Sequence, residues 1–289
     1  MKDFPFEYAG GSIPGRDHIG RDGLLLGRNN QDAMAWLTTH DSLYAVICDG
    51  CGSEPESEVG AKLGARLLLS ALHERLVSRP YPVDPEHGAL LWETVRQDLL
   101  ARLQVLAVLS EGGSFTQAVG RYLLFTVMAL VITPARCEIV AIGDGSYALN
   151  GTLKSLGPFP DNKPPYLAYG LINSEYSADP KALRFRCLES IPTAALQSAL
   201  IGSDGVAALA QKSGARLPGR EELVGPISQF WTNDRFFRNR DGIRRYLALI
   251  NSEVTYRDKR GALRTDHGHL PDDTTMFVMR RKTDLNPAP

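Results

Sequence analysis

An α+β fold with antiparallel sheets is predicted by three features of this 289-residue chain. Strand-like runs joined by hairpin turns outnumber βαβ spacings, two long amphipathic helices follow one another early, and a last apolar strand closes the sequence. The composition is ordinary for a globular protein, 43% hydrophobic and 22% charged. No linker interrupts the chain, so one domain is expected over 1–289, with its core at about 10–280.

The elements follow in order. Residues 33–37 and 43–48 read as strands joined by a turn at His40-Asp41, and Ala45-Val46-Ile47 is apolar on both faces, which predicts a central strand. Residues 57–76 read as a helix. Val59, Leu63, Leu67, Leu68, Ala71, Leu72 and Leu76 form its apolar stripe, Glu58, Lys62 and Arg66 its polar side, and Pro80 and Pro82 its end. Residues 90–109 form a second helix with Leu91, Val95, Leu99, Leu103 and Leu106 in its stripe, and Gly112-Gly113-Ser114 breaks the pattern. A hairpin is expected from 124–132 and 137–142, then a strand at 146–150 leading into the turn signal Asn150-Gly151. The Pro-, Gly- and Tyr-containing stretch 157–181 reads as a surface excursion. Strands are expected at 183–188, 199–201 and 275–279, helices at 206–211, 220–227 and 242–251, and a polar loop at 257–270. The tail after Arg281 reads as frayed.

Bulk charge excludes some functions. The net charge of −1 gives no electrostatic reason to bind nucleic acid or an anionic membrane. The bases and aromatics at 235–246 are interleaved, but Ile243, Leu247 and Ile250 account for the apolar face as core. The start carries no secretory h-region, and no apolar run spans a bilayer, so a cytoplasmic protein without membrane or nucleic-acid partners is expected. Cys48 and Cys51 form a C-x-x-C with no clustered zinc ligands nearby, so they read as a strand-end and a turn cysteine.

The chemistry lies in scattered acids at strand ends: Asp32 in Asn30-Gln31-Asp32, Asp49 in Asp49-Gly50-Cys51-Gly52-Ser53, Asp204 in Ser203-Asp204-Gly205, and Asp272-Asp273. Carboxylates brought together by a fold repel unless a cation joins them, and hard divalent cations take oxygen ligands. A metal site used for phosphate chemistry is the reading. In each case a turn or a cap is the plainer alternative. Ser203 is set to cap the next helix, leaving Asp204 to serve a cation. Gly143-Asp144-Gly145 is a tight-turn sequence.

In order and context these motifs resemble the metal-dependent protein phosphatase 2C family in its bacterial branch. Asp49-Gly50-Cys51-Gly52-Ser53 followed by Glu58-Val59-Gly60-Ala61 is the most specific block, and the resemblance spans 10–280. It implies a sandwich of two antiparallel sheets flanked by helix pairs. It implies two Mg2+ or Mn2+ ions, with Asp49 bridging them, Gly50 lending its carbonyl, Asp204 and Asp272 holding one ion, and Asp144 serving a weaker third. Asp32 would order water at the phosphate. The implied activity is hydrolysis of phosphoserine or phosphothreonine by attack of a metal-bound hydroxide, on a phosphoprotein made by a serine/threonine kinase.

Three positions depart from the family pattern. Gln31 stands in place of a charged ligand, which weakens the second ion. Cys51 stands in place of a general-acid His, leaving His18 as the candidate, with a surface His as its plain alternative. Arg28 is the candidate phosphate anchor, with Arg16 and Arg21 as alternatives. Two other functions compatible with these departures are a pseudophosphatase that binds a phosphorylated partner and a hydrolase of small phosphoesters.

Overall fold

The computed structural model describes residues 4–20, 28–76, 85–110 and 113–282. Arg21, Pro80, Pro82, Gly112 and the tail beyond 282 lie outside the described residues. The elements run β1 (Phe6–Ile13), α1 (Arg16–Ile19), β2 (Asp32–Thr38), β3 (Leu43–Gly50), α2 (Ser57–Leu76), α3 (Pro85–Leu109), α4 (Phe115–Leu123), β4 (Phe125–Ile132), β5 (Arg136–Ile142), β6 (Gly145–Leu149) and β7 (Thr152–Leu156). After several 3-10 turns come β8 (Arg186–Pro192), β9 (Ser198–Gly202), α5 (Gly205–Gln211), α6 (Gln229–Thr232), α7 (Arg235–Arg238), α8 (Gly242–Ile250), β10 (Val254–Arg257), β11 (Leu263–Asp266) and β12 (Thr274–Arg281).

Two five-stranded antiparallel sheets, ordered β1-β12-β9-β6-β7 and β2-β3-β4-β5-β8, are stacked with helices outside both. Strand alternation builds the layers. On β3, Leu43, Ala45 and Ile47 turn inward between the sheets, whereas Tyr44, Val46 and Cys48 meet α2 and α3. On β12, Phe277 and Met279 face the inter-sheet core while Met276 and Val278 meet α5 to α8. A strand buried on both sides reads as a continuous apolar run, which is why β3 and β4 lack alternation in sequence. Burying a ring such as that of Phe125 or Phe277 contributes about 2–3 kcal/mol each.

Helix α2 has the expected span, and Leu68, Ala71 and Leu72 of the expected stripe are buried, but its first half buries a different face. Gly60, Ala61, Gly64, Ala65 and Leu68 are buried, while Val59 and Leu63 are 41% and 38% exposed. The cause is closeness. A Cβ on Gly60 would lie 2.0 Å from the Tyr122 carbonyl oxygen, and one on Gly64 would lie 2.3 Å from the Phe125 ring. Small residues let this helix approach α4 and the sheet more tightly than a leucine stripe allows. Glu58, placed on the polar side by spacing, is buried and accepts a hydrogen bond from the Asn29 amide at 2.9 Å.

Other expectations are corrected. Strand β1 and helix α4 were not anticipated. The signal for α4 was its capping box, in which Ser114 and Gln117 cap each other's backbone. Residues 220–227 form turns, not a helix, and 254–266 form the β10–β11 hairpin inside the expected loop. The stretch 157–181 is more than a surface excursion, since Tyr166, Leu167 and Ala168 are buried against the α2–α3 layer. Arg235 lies over the Phe236 and Tyr246 rings, and Arg244 and Arg245 pair with Asp241. Among the described residues no helix is long and apolar enough to cross a membrane.

Candidate metal centre and phosphate site

The antiparallel pairings bring the acidic motifs to one end of the sandwich. Asp32, which opens β2, is the register partner of Asp49 near the end of β3, and Asp49 in turn faces Thr126 at the start of β4. Val127 pairs with Ile142 at the end of β5, so the turn bearing Asp144 lies at the same end. In the other sheet Gly202, which closes β9, pairs with Ser146 on β6 and with Met276 on β12. Asp204 and Asp272 therefore arrive there too. The Asp144 turn depends on glycine, with φ of +89° at Gly143 and +134° at Gly145.

These groups surround a cavity of about 510 Å³, lined by Asp49, Gly50, Asp144, Asp204 and Asp272 among others. Burial raises each of the four carboxyls, and neighbouring carboxylates add to the effect. Asp49 is held well above the usual carboxylate range, Asp204 is pushed up to about 7, Asp144 to about 6, and Asp272 upward. The Asp272 side chain is 58% exposed, its surface opening onto the cavity. Asp32 is 4% exposed, and burial with the nearby Asp273 charge pushes it up to about 8. Its Oδ2 accepts a 2.7 Å hydrogen bond from Ser203 Oγ, while its buried Oδ1 has no partner. The Ser203 hydroxyl thus serves Asp32, and it also accepts from the Thr275 N–H. It does not cap α5 as expected.

Asp273 has a different setting from Asp272. It is 3% exposed and accepts from the Gly15 N–H at 2.6 Å and the Gln31 N–H at 2.5 Å. His18 Nδ1 lies 2.9 Å from its Oδ1, and this contact raises the His18 pKa against the effect of burial. His18 is 5% exposed, so the surface alternative does not hold, and its Nε2 lies 3.9 Å from Asp272. Among the described residues, His18, Asp272 and Asp273 are a trio whose ligand atoms all lie within 4.8 Å of one another.

Gln31 lines the cavity, but its amide nitrogen is engaged by the loop after β3. Its Nε2 donates to the Glu54 carbonyl at 2.6 Å and to Ser57 Oγ at 2.8 Å, while its Oε1 is buried without a partner. The amide ties β2 to the loop that follows Asp49. Cys51 lies on the cavity wall with its sulfur 3.1 Å from Ser53 Oγ. Arg28 is half-buried, and its charge acts on His18. It does not line the cavity. Sequence reasoning missed Asp161, Lys163, Tyr166 and Tyr169, which also line the cavity. Their signal was the tyrosine spacing 166, 169, 176 inside a stretch read as solvated.

The sequence model of the protein phosphatase 2C family matches residues 15–240. The chain belongs to this family. The match ends before Asp272, which lines the cavity in the structure. A search of curated protein sequences found no match. The fold is similar to that of the serine/threonine phosphatase Stp1 from Staphylococcus aureus, at 12% identity over 98% of each chain with a TM-score of 0.50. PppA, described as a key regulatory component of T6SS in Pseudomonas aeruginosa, aligns at 14% identity over 96% of this chain and 98% of its own, with a TM-score of 0.49. The phosphatase domain of SpoIIE from Bacillus subtilis aligns at 13% identity, with 97% and 64% coverage and a TM-score of 0.44.

Proposed function

We propose that this phosphatase 2C family member is a divalent-metal-dependent phosphoprotein phosphatase acting on phosphoserine and phosphothreonine, within a single catalytic domain. The observation that carries the reading is the gathering of Asp49, Asp144, Asp204 and Asp272 around one cavity, each with a raised pKa. An oxygen-only donor set with this much unbalanced negative charge fits hard divalent cations and is costly without them. Asp49, with the Gly50 carbonyl, Asp204 and Asp272 would hold two such ions, and Asp144 a further one. Bound there, Mg2+ or Mn2+ supplies Lewis-acid activation of water and neutralises phosphoryl oxygens.

The chain's own groups do the rest. Asp32 keeps one oxygen fixed by Ser203 and one unpartnered, so it can accept a hydrogen bond from the attacking water and orient it in line with phosphorus. His18, with its pKa raised by Asp273, carries a proton at the end of the site where Arg28 also acts, which makes it the source for the departing seryl or threonyl oxygen. Arg28 acts on His18 from outside the cavity lining and makes no direct phosphate contact in this reading. No side-chain nucleophile is required, and the Cys51 thiol plays no covalent part.

The test is hydrolysis of an aryl phosphate and of a phosphoserine peptide with and without Mn2+, with Asp49→Ala as control. Turnover that depends on Mn2+ and is lost in the variant is expected. Absence of metal-dependent turnover with both substrates overturns the reading, and strong preference for a sugar or nucleotide phosphate redirects it to small phosphoesters.

A further inference from the structure

We propose that Lys163 is the cavity's own cationic anchor for the substrate phosphoryl group. The inference rests on the phosphatase reading and adds a residue of the cavity lining. Seven of the side chains lining the cavity are Asp or Glu, and one, Lys163, is basic. Arg28 lies outside that lining and acts on His18. Three divalent cations carry six positive charges against the seven carboxylates of the lining and leave no net positive charge for a dianionic phosphate. A protein-borne cation must make up the difference, and among the described residues lining this cavity only Lys163 is basic.

The lysine is free for the task and its root is fixed. Its side chain is in no ion pair among the described residues. Its backbone N–H donates to the Pro160 carbonyl at 3.0 Å, and its carbonyl accepts from the Tyr176 hydroxyl at 2.9 Å. Tyr176 stacks on Tyr169 with ring centroids 5.5 Å apart, and Tyr169 meets the edge of Tyr166 at 5.5 Å. Tyr166 is 7% exposed and joins the α2–α3 core. This ladder of three rings ties the Lys163 backbone to the core, and the residue lines the cavity with its side chain exposed. An ammonium held at its root and mobile at its tip suits a charge-assisted hydrogen bond to phosphate oxygens.

The experiment measures inorganic phosphate binding to the Mn2+-loaded protein by calorimetry, alongside steady-state kinetics with both substrates. Lys163→Ala is expected to weaken phosphate binding and raise KM by about tenfold, with Lys163→Arg recovering most of the loss. Lys163→Glu should weaken phosphate binding further, and Mn2+ affinity should be unchanged in all three. Phosphate affinity and KM within about twofold of wild type in Lys163→Ala overturn the proposal. So does a parallel loss of Mn2+ affinity, which would mark a structural role. An inactive wild-type protein would defeat the phosphatase reading, whereas the phosphate-binding comparison would still decide the role of Lys163.

Discussion

Asp32 and Asp49 stand directly opposite each other on the adjacent antiparallel strands β2 and β3. Like charges at such positions destabilise a ladder. Both carboxyls are raised, Asp32 chiefly by burial and Asp49 by burial with Asp32 as the nearest charge. The fold thus sets two acids against each other at the site where cations are proposed to bind.

Removing one of these acids should separate stability from activity. In Asp49→Asn, Mn2+-dependent turnover is expected to fall by about 100-fold or more. The metal-free protein should melt about 2–4 °C higher as repulsion is relieved. Calorimetric melting of the metal-free variant checks this, and a lower melting point would refute the repulsion argument.

The same groups set a pH trend. Asp144, Asp204 and Asp32 are raised from 3.8 to about 6, 7 and 8. Over that interval the folded state binds more protons than the unfolded chain. The stability these groups contribute is full below the unfolded value of 3.8 and is lost as pH rises through 6 to 8. Urea midpoints of the metal-free protein should therefore fall from about pH 5 to about pH 8, and saturating Mn2+ should flatten or reverse the trend. A rising midpoint without metal would contradict the assignment.

Restoring the family's charge at Gln31 should not restore an ion. Gln31→Glu replaces a donor that faces the Glu54 carbonyl and Ser57 Oγ with a carboxylate. A loss of about 1–3 kcal/mol in unfolding free energy is expected, with no gain in Mn2+ affinity. Tighter Mn2+ binding in the variant would show that the side chain can swing to the cavity.

Asp273 joins three parts of the chain, the Gly15 and Gln31 backbones and His18. Asp273→Asn keeps the shape and removes the charge, so a loss of about 1.5–3 kcal/mol is expected by chemical denaturation. The His18 pKa, followed by NMR, should fall with it, because Asp273 is what raises it. An unmoved His18 titration would remove Asp273 from the proton-holding role.

Gly60→Ala tests the close approach of α2 to α4. Alanine favours a helix by about 1 kcal/mol, yet its Cβ would sit 2.0 Å from the Tyr122 carbonyl oxygen. A net loss of about 2 kcal/mol or more is expected from overpacking, and a stabilised variant would show that the helix can shift away.

Much of the candidate site was legible because acids at strand ends keep a local sequence signature. Asp49, Asp204 and Asp272 each stand beside an apolar strand, and antiparallel pairing carries them to one end. What was not legible depended on contacts distant in sequence. The Ser203 hydroxyl turns to Asp32, 171 positions earlier, instead of capping its own helix. The buried face of the first half of α2 is set by Tyr122 and Phe125, so Val59 and Leu63 are exposed there, while Leu68, Ala71 and Leu72 are buried as their spacing indicates. Lys163 lay in a stretch whose polarity looked like solvation, and only the packing of Tyr166 revealed it as a wall.

Strand β12 lies in the interior of its sheet, between β1 and β9, and is the last strand in the sequence order. It follows directly from Asp272 and Asp273. During synthesis, a nascent chain stopped short of residue 272 lacks a proposed ligand, the clasp on His18 and the strand that joins β1 to its neighbours. Such a chain would therefore carry most of the cavity wall without a complete site, which forms only when β12 pairs between β1 and β9.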